Sequence, residues 1–250
     1  MTKIFGYIAV KDEADRYLAD CLKHNVSNFD AMFAWDDRSE DSTARICRLH
    51  GCTTVVRPEG VPSFLEHEGQ FRFAGWKAFE EKMSPSEGDW ILSFDADEFL
   101  VLDKPGPVRL ALEKAITRAQ QRGQNGVILP FPEVFDVVNG VPQVRMDGLW
   151  GQVRGPRLFV YREGAQWSDK PMGCGSEPTY VVKGPLSKDN CGLTMLHYGY
   201  ADKADQVAKH ARYTSLFDHG HNDRHVQSII SPPTLQRWTG QVPVTRFSTP

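Results

Sequence analysis

Cysteine is scarce in this chain: five occur in 250 residues, at Cys21, Cys47, Cys52, Cys174 and Cys191. An odd, sparse set makes no disulfide framework, so a reducing, cytoplasmic setting is expected. Cys47 and Cys52 have no second pair of matching spacing, which argues against a zinc site there. Long apolar runs are also missing. None approaches the roughly 20 residues that cross a bilayer, so no transmembrane segment is expected. The opening stretch MTKIFGYIAVKDEAD lacks the h-region and small-residue cleavage site of a signal peptide and reads as a first strand. Excess positive charge is absent. The formal net charge is -3, and Lys and Arg are dispersed, so nucleic acid and anionic lipid are not expected partners. No internal repeat or low-complexity linker divides the chain. Hydrophobic content of 40% and charged content of 24% are those of an ordinary globular protein.

The first hundred residues alternate in type. Ile4 to Val10 reads as a strand and Glu13 to Asn25 as a helix with Leu18, Cys21 and Leu22 on one face. Phe29 to Trp35 follows as a strand. Ser39 to His50 reads as a helix, capped by Ser39 to Ser42 and stopped by Gly51. Thr53 to Arg57 is a short strand, Phe64 to Met83 has helical spacing, and Trp90 to Phe94 is an apolar strand. This order predicts an α/β protein: a mostly parallel sheet flanked by helices, with ligands beyond the carboxyl ends of the strands. The second half reads as a mixed addition. Pro107 to Arg122, Ala204 to Phe217 and Asp223 to Ile230 have helical character; Val127 to Val138, Val141 to Met146 and Arg157 to Arg162 have strand character. One domain is expected, in two halves, residues 1–104 and 105–250.

Acids gather where strands end. DWILSFDADEFL, residues 89–100, runs from an apolar strand into Asp95, Asp97 and Glu98; Asp36 and Asp37 close the second strand. Like charges at the end of a buried strand are costly unless a cation or a substrate offsets them. Oxygen ligands suit magnesium or manganese, which also take phosphates and water.

Four segments resemble the glycosyltransferases of the GT-A fold, and within them glycosyltransferase family 2. They are VKDEADRYLADCL (10–22), WDDRSEDST (35–43), DWILSFDADEF (89–99) and LHYGY (196–200), the last followed by Lys209 and Arg212-Tyr213. The sequence departs from the family pattern at Asp12, where Asn is common, and at Arg38, where Gly is common. The resemblance implies a nucleotide-sugar donor, expected to be a UDP-sugar, with GDP- and dTDP-sugars as alternatives. It implies an inverting transfer and a divalent cation, manganese or magnesium. It places Glu13, Asp36, Asp37 and Asp95 at the nucleotide sugar, Asp95 and Asp97 on the metal, and His197 as a third metal ligand. A buried histidine bonded to backbone is the competing reading of His197.

Other residues are read from their surroundings. Glu177, in GCGSEP, is the candidate general base, with Asp169 and Glu98 as alternatives, while the resemblance makes Asp97 catalytic as the main metal ligand. Arg72 and the Arg154 to Arg157 segment are candidates for the diphosphate. Trp150 and Trp167 are candidates for stacking on a sugar or for core. His210, His219, His221 and His225 form a histidine-rich stretch that could hold zinc or be a solvated loop. The acceptor, whether glycan, small molecule or protein, is not readable. Two other functions compete: a non-catalytic nucleotide-sugar or glycan-binding module, and a D-x-D phosphatase or phosphotransferase.

Overall fold

The computed structural model describes residues 2–148, 150, 154–216 and 223–247. The α/β class expected from the sequence is the one observed. The central sheet has seven strands: β1 (Ile4–Val10), β2 (Ala31–Asp36), β3 (Thr53–Val56), β4 (Trp90–Phe94), β6 (Gly126–Pro130), β9 (Arg154–Val160) and β10 (Leu186–Ser187). Their order is β10-β6-β9-β4-β1-β2-β3. The β1–β2, β2–β3, β1–β4 and β6–β10 pairs are parallel, whereas β9 runs antiparallel between β4 and β6.

Both faces of this sheet are covered, which is why β1 and β4 are apolar at nearly every position. Alternate side chains go to opposite cores. Ile4, Ile8 and Val10 of β1 pack with Leu18, Cys21 and Leu22 of α1 (Leu18–Asn25) and with α4 (Val108–Gln121). Phe5 and Tyr7 pack with Phe71, Trp76 and Phe79 of α3 (Glu68–Met83). Gly75 lets α3 close on the sheet: a Cβ there would meet the Tyr7 hydroxyl at 2.4 Å and the Trp35 ring at 2.8 Å.

Two smaller ladders complete the fold. β5 (Glu98–Leu102) pairs antiparallel with β11 (Leu193–His197), and β7 (Val134–Val138), β8 (Val141–Arg145) and β12 (Leu235–Arg237) form a three-stranded sheet. The single strand expected over Val127 to Val138 is thus two, β6 and β7. Pro130 and Pro132 lack the N–H that would carry a ladder across the join. Asn139 and Gly140, with φ of 51° and 74°, make the tight turn into β8.

Helix starts lie later than the sequence pattern suggests: α1 begins at Leu18, α2 (Thr43–Leu49) at Thr43 and α3 at Glu68. Residues 11–14 and 38–43 spend their polar groups on each other. The Glu13 N–H donates to Thr43 Oγ1 at 2.7 Å, Ala14 N–H to Asp41 Oδ2 at 3.0 Å, and Glu40 N–H to Asp12 Oδ1 at 2.8 Å. Ser42 makes no side-chain cap bond, while Asp41 Oδ1 accepts from the Thr43 N–H at 2.8 Å. The expected C-terminal helices are present as α6 (Lys203–Leu216) and α7 (Asp223–Ile230). A short helix, α5 (Thr179–Lys183), precedes β10. No helix among the described residues is long and apolar enough to cross a membrane.

Candidate functional site

Strand order reverses beside β1: the chain runs outward through β2 and β3, then returns to place β4 on the other side of β1. Parallel sheets bind ligands at such a switch point, beyond the carboxyl ends of the strands. Glu13 follows β1 there, and the turn Asp95-Ala96-Asp97 follows β4. That turn reverses the chain into β5, with the Glu98 N–H donating to the Asp95 carbonyl at 3.1 Å. Because β11 pairs with β5 in the register His197↔Glu98, a histidine a hundred residues away lands next to Asp97.

Asp97 Oδ2 lies 3.3 Å from His197 Nε2. The other ring nitrogen, Nδ1, bonds the carboxylate of Glu133, a buried residue bridged to His197 through the backbone. Lys209 reaches in from α6, with Nζ 3.5 Å from both Asp97 Oδ2 and His197 Nε2 and 4.4 Å from the Tyr200 ring centre. Burial opposes ionisation of Asp97, but His197, Lys209 and Arg16 hold its carboxyl well below the usual range. Burial likewise opposes charge on His197, yet Glu133 and Asp97 hold its ring well above the ordinary imidazole value.

A second charged layer surrounds this pair. Glu98 is buried and bonds Arg157 Nη2 at 2.9 Å through Oε1, while its Oε2 accepts the Asp95 N–H at 2.9 Å. Burial pushes the Glu98 carboxyl up, Arg157 pulling against it, to about 8. Arg157 also bonds Ser176 and stands 3.8 Å from Asp95, whose side chain keeps 48% of its surface exposed. Glu13 pairs with Arg16 at 3.3 Å through Oε1; Oε2 is buried with no hydrogen-bond partner among the described residues. Burial raises Glu13 to about 7, against the pull of Arg16 and Lys209.

The remaining candidates are engaged elsewhere. Asp36 accepts the Ser39 hydroxyl and N–H, and Asp37 accepts Arg57 and the Phe64 N–H at 3.0 Å, so both brace their own crossover. Arg72 bonds Glu68 at 2.7 Å, and Glu68 in turn accepts the N–H groups of Gly173 and Cys174. This ties α3 to the loop carrying Glu177. Glu177 is half-buried; burial raises its carboxyl against the pull of Arg157 and Arg72. Asp169 is 79% exposed and faces His67. Trp150 packs with Phe135 and Tyr200, and Trp167 with Trp76, so both contribute to aromatic clusters. His219 and His221, and the His225 side chain, lie outside the described residues.

Three site residues escaped sequence reasoning. Glu133 carried no signal beyond being an acid after a proline. Lys209 belonged to a resembling segment but had no role. Gly199 matters for what it leaves open. A Cβ on it would stand 2.5 Å from Asp97 Oδ2 and 2.6 Å from His197 Nε2, with Lys209 Nζ only 2.0 Å away. A cradle lined by a carboxylate and an imidazole, the imidazole backed by a further carboxylate, suits a divalent ion in donor chemistry. Among the described residues no group of three or more His, Cys, Asp or Glu side chains already stands in a metal-holding array.

No protein-family model matches the chain, and no curated protein matches it significantly. Solved structures do. One is glucosyl-3-phosphoglycerate synthase from Mycobacterium tuberculosis in complex with Mn2+, UDP and glucosyl-3-phosphoglycerate, with TM-score 0.36 and 14% identity. Another is mannosyl-3-phosphoglycerate synthase from Rubrobacter xylanophilus, with TM-score 0.37 and 18% identity. Each match covers 53% of this chain, and it spans 44% of the first protein and 41% of the second. This chain therefore matches less than half the length of either.

Proposed function

We propose that this chain is a metal-dependent glycosyltransferase of GT-A type that takes its sugar from a nucleotide diphosphate donor. The observation that carries this reading is the Asp97–His197 pair, backed by Glu133, in the crevice where strand order reverses. Glycosyl transfer expels a nucleoside diphosphate, and a divalent cation, manganese or magnesium, offsets the charge that develops on it. Asp97 and His197 are the residues that would hold the cation. Asp95, half-exposed on the same turn, is the carboxylate that would join them.

The zipped loops after β1 and β2 would form the floor on which the nucleotide rests, with Glu13 on the first and with Asp36 and Asp37 acting through the crossover they brace. Arg157, 3.8 Å from Asp95, would add positive charge for the diphosphate, and Arg72 would join it from α3. Glu177 takes the role of general base: burial moves its carboxyl upward, towards the range in which a carboxylate accepts a proton from an acceptor hydroxyl. The transfer is inverting, the donor is a UDP-sugar, and the acceptor is a glycan, a small molecule or a protein. The chain works as one catalytic unit. Support for that comes from β9, which enters from the second half and lies against β4.

Calorimetric titration of UDP, GDP and dTDP, with and without Mn2+, tests this. The expected result is binding of UDP that depends on the metal and disappears in Asp97→Ala, with the circular dichroism spectrum unchanged. Absence of binding by all three nucleotides at millimolar concentration would overturn the reading.

A further inference from the structure

The Asp97–His197 cradle already has a cation beside it, and that cation belongs to the protein. Lys209 Nζ is 3.5 Å from each donor atom, and its side chain is only 11% exposed. It comes within 2.0 Å of the point over Gly199 that lies between those donors. Asp97 is the carboxylate it bonds, and Tyr200 supplies a ring face at 4.4 Å. An ammonium so placed shares with the His197 ring, 3.3 Å from the same oxygen, the neutralisation of a buried carboxylate. It also repels any other cation approaching the same two atoms.

A second acceptor lies within its electrostatic reach. Glu13 feels the charge of Lys209, and its Oε2 is buried and has no hydrogen-bond partner among the described residues. A buried carboxylate oxygen left without a donor is costly, so a donor that arrived there would be retained. The lysine chain is flexible and its ammonium is a point charge with three donors, suited to exchanging one carboxylate for another.

We propose that Lys209 is a built-in counter-cation for Asp97, seated beside His197, and that a divalent ion binds only as the Lys209 ammonium moves from Asp97 to Glu13. This inference rests on the proposed metal-dependent reading of the site. It makes the free protein a poor metal binder by design, because the ion competes with an internal charge. Population-shift reasoning gives the consequence: affinity is reduced by the fraction of molecules in which Lys209 blocks the donors.

The test is Mn2+ binding to the nucleotide-free protein, followed by electron paramagnetic resonance of the free ion. Lys209→Met keeps the stem of the side chain without its ammonium, and it is expected to bind Mn2+ about tenfold more tightly than the wild type. Glu13→Gln is expected to weaken Mn2+ binding in the wild-type background and to leave it unchanged in Lys209→Met, where no ammonium needs a new partner. Lys209→Gln serves if the methionine variant does not fold. Equal or weaker Mn2+ binding by the lysine variants would overturn the proposal, as would a Glu13→Gln effect that persists without Lys209. Mn2+ binding by the wild type with UDP present separates the two failures. If it occurs while Lys209→Met gains nothing, only the counter-cation is wrong. If it is absent too, the metal-dependent function fails with it.

Discussion

Gly199→Ala puts a methyl group into the cradle itself. The new carbon would lie 2.5 Å from Asp97 Oδ2 and 2.6 Å from His197 Nε2, whereas carbon does not approach such atoms closer than about 3 Å. Lys209 Nζ, 2.0 Å from the same point, is the end of a flexible chain and can withdraw. Asp97 and His197 have less freedom. Asp97 sits in a tight turn whose carbonyl accepts the Tyr198 N–H at 2.8 Å, and His197 is fixed by Glu133 and by the β5–β11 pairing. The donors must part by several tenths of an ångström, an overpacking cost of about 1–3 kcal/mol in folding stability. A methyl and a cation cannot share the space, because a hard divalent ion requires its oxygen ligands at about 2.0–2.1 Å. Loss of the joint site is expected to weaken Mn2+-dependent UDP binding by at least about 100-fold, roughly 2.7 kcal/mol. Metal-independent UDP binding should not change. Titration calorimetry with a parallel thermal melt measures both. A folded Gly199→Ala protein whose Mn2+-dependent affinity stays within about threefold of wild type, under 0.7 kcal/mol, would refute the placement of the cation at Asp97 and His197.

Three further outcomes are expected. Mn2+ binding should strengthen as pH rises and release a proton measurable by calorimetry in different buffers, because Glu133 and Asp97 hold His197 protonated well above its ordinary range and the ring must lose that proton to coordinate; an affinity flat from pH 6 to 9 (a range set by the imidazole value) would contradict this. Arg38→Gly should stabilise the protein by about 0.5 kcal/mol, since a φ of 57° costs a non-glycine residue roughly 1–2 kcal/mol and the extra freedom of glycine in the unfolded chain returns about half; a lowered melting temperature would refute it. Asp147→Ala should cost about 1–2 kcal/mol, because Arg145, 1% exposed, loses its bonds of 2.8 and 2.7 Å to that carboxylate and keeps the one of 2.6 Å to the Ser228 carbonyl. Bonding to Arg145 lowers Asp147 from 3.8 to about 2, so its share of stability is present above the ordinary carboxylate value and is lost as pH falls towards 2; acid titration of the variant should lack that loss.

The parallel half of the fold was legible because each strand is a short apolar run and each helix has a periodic face. Trp90–Phe94 and Asp223–Ile230 fall where the pattern puts them. Helix starts were not legible. Asp41 reads as a capping residue, yet with Asp12 and Thr43 it joins two loops about 30 positions apart, and local pattern carries no record of such a partner. The departures from the family pattern at Asp12 and Arg38 acquire a physical meaning: both have positive φ, of 50° and 57°, which Asn and Gly adopt with less strain. The β5–β11 ladder was hidden for the same reason as the loops, since LTMLH is too short to be recognised without its mate. With it was hidden the route by which His197 reaches Asp97, although the resemblance had joined the two.

The acids after β4 are tolerated because the fold supplies a cation for each and leaves one carboxylate turned outward. Asp97 has His197 and Lys209, Glu98 has Arg157, and Glu13 has Arg16. Those cations come from β9, β11 and α6 and from the loop before α1, so neutrality is achieved only once the second half has folded against the first. Asp95 differs. Its side chain is 48% exposed, and Arg157, its ion-pair partner at 3.8 Å, is committed more closely to Glu98 at 2.9 Å. A crevice neutralised in its depth and acidic at its mouth attracts a cation from solution without collapsing when none is present. Adding such an ion, and with it an anionic diphosphate, then has somewhere to send the displaced ammonium: the unpartnered oxygen of Glu13. The charge pattern that looked costly in the sequence is thereby a means of holding the site ready in both states.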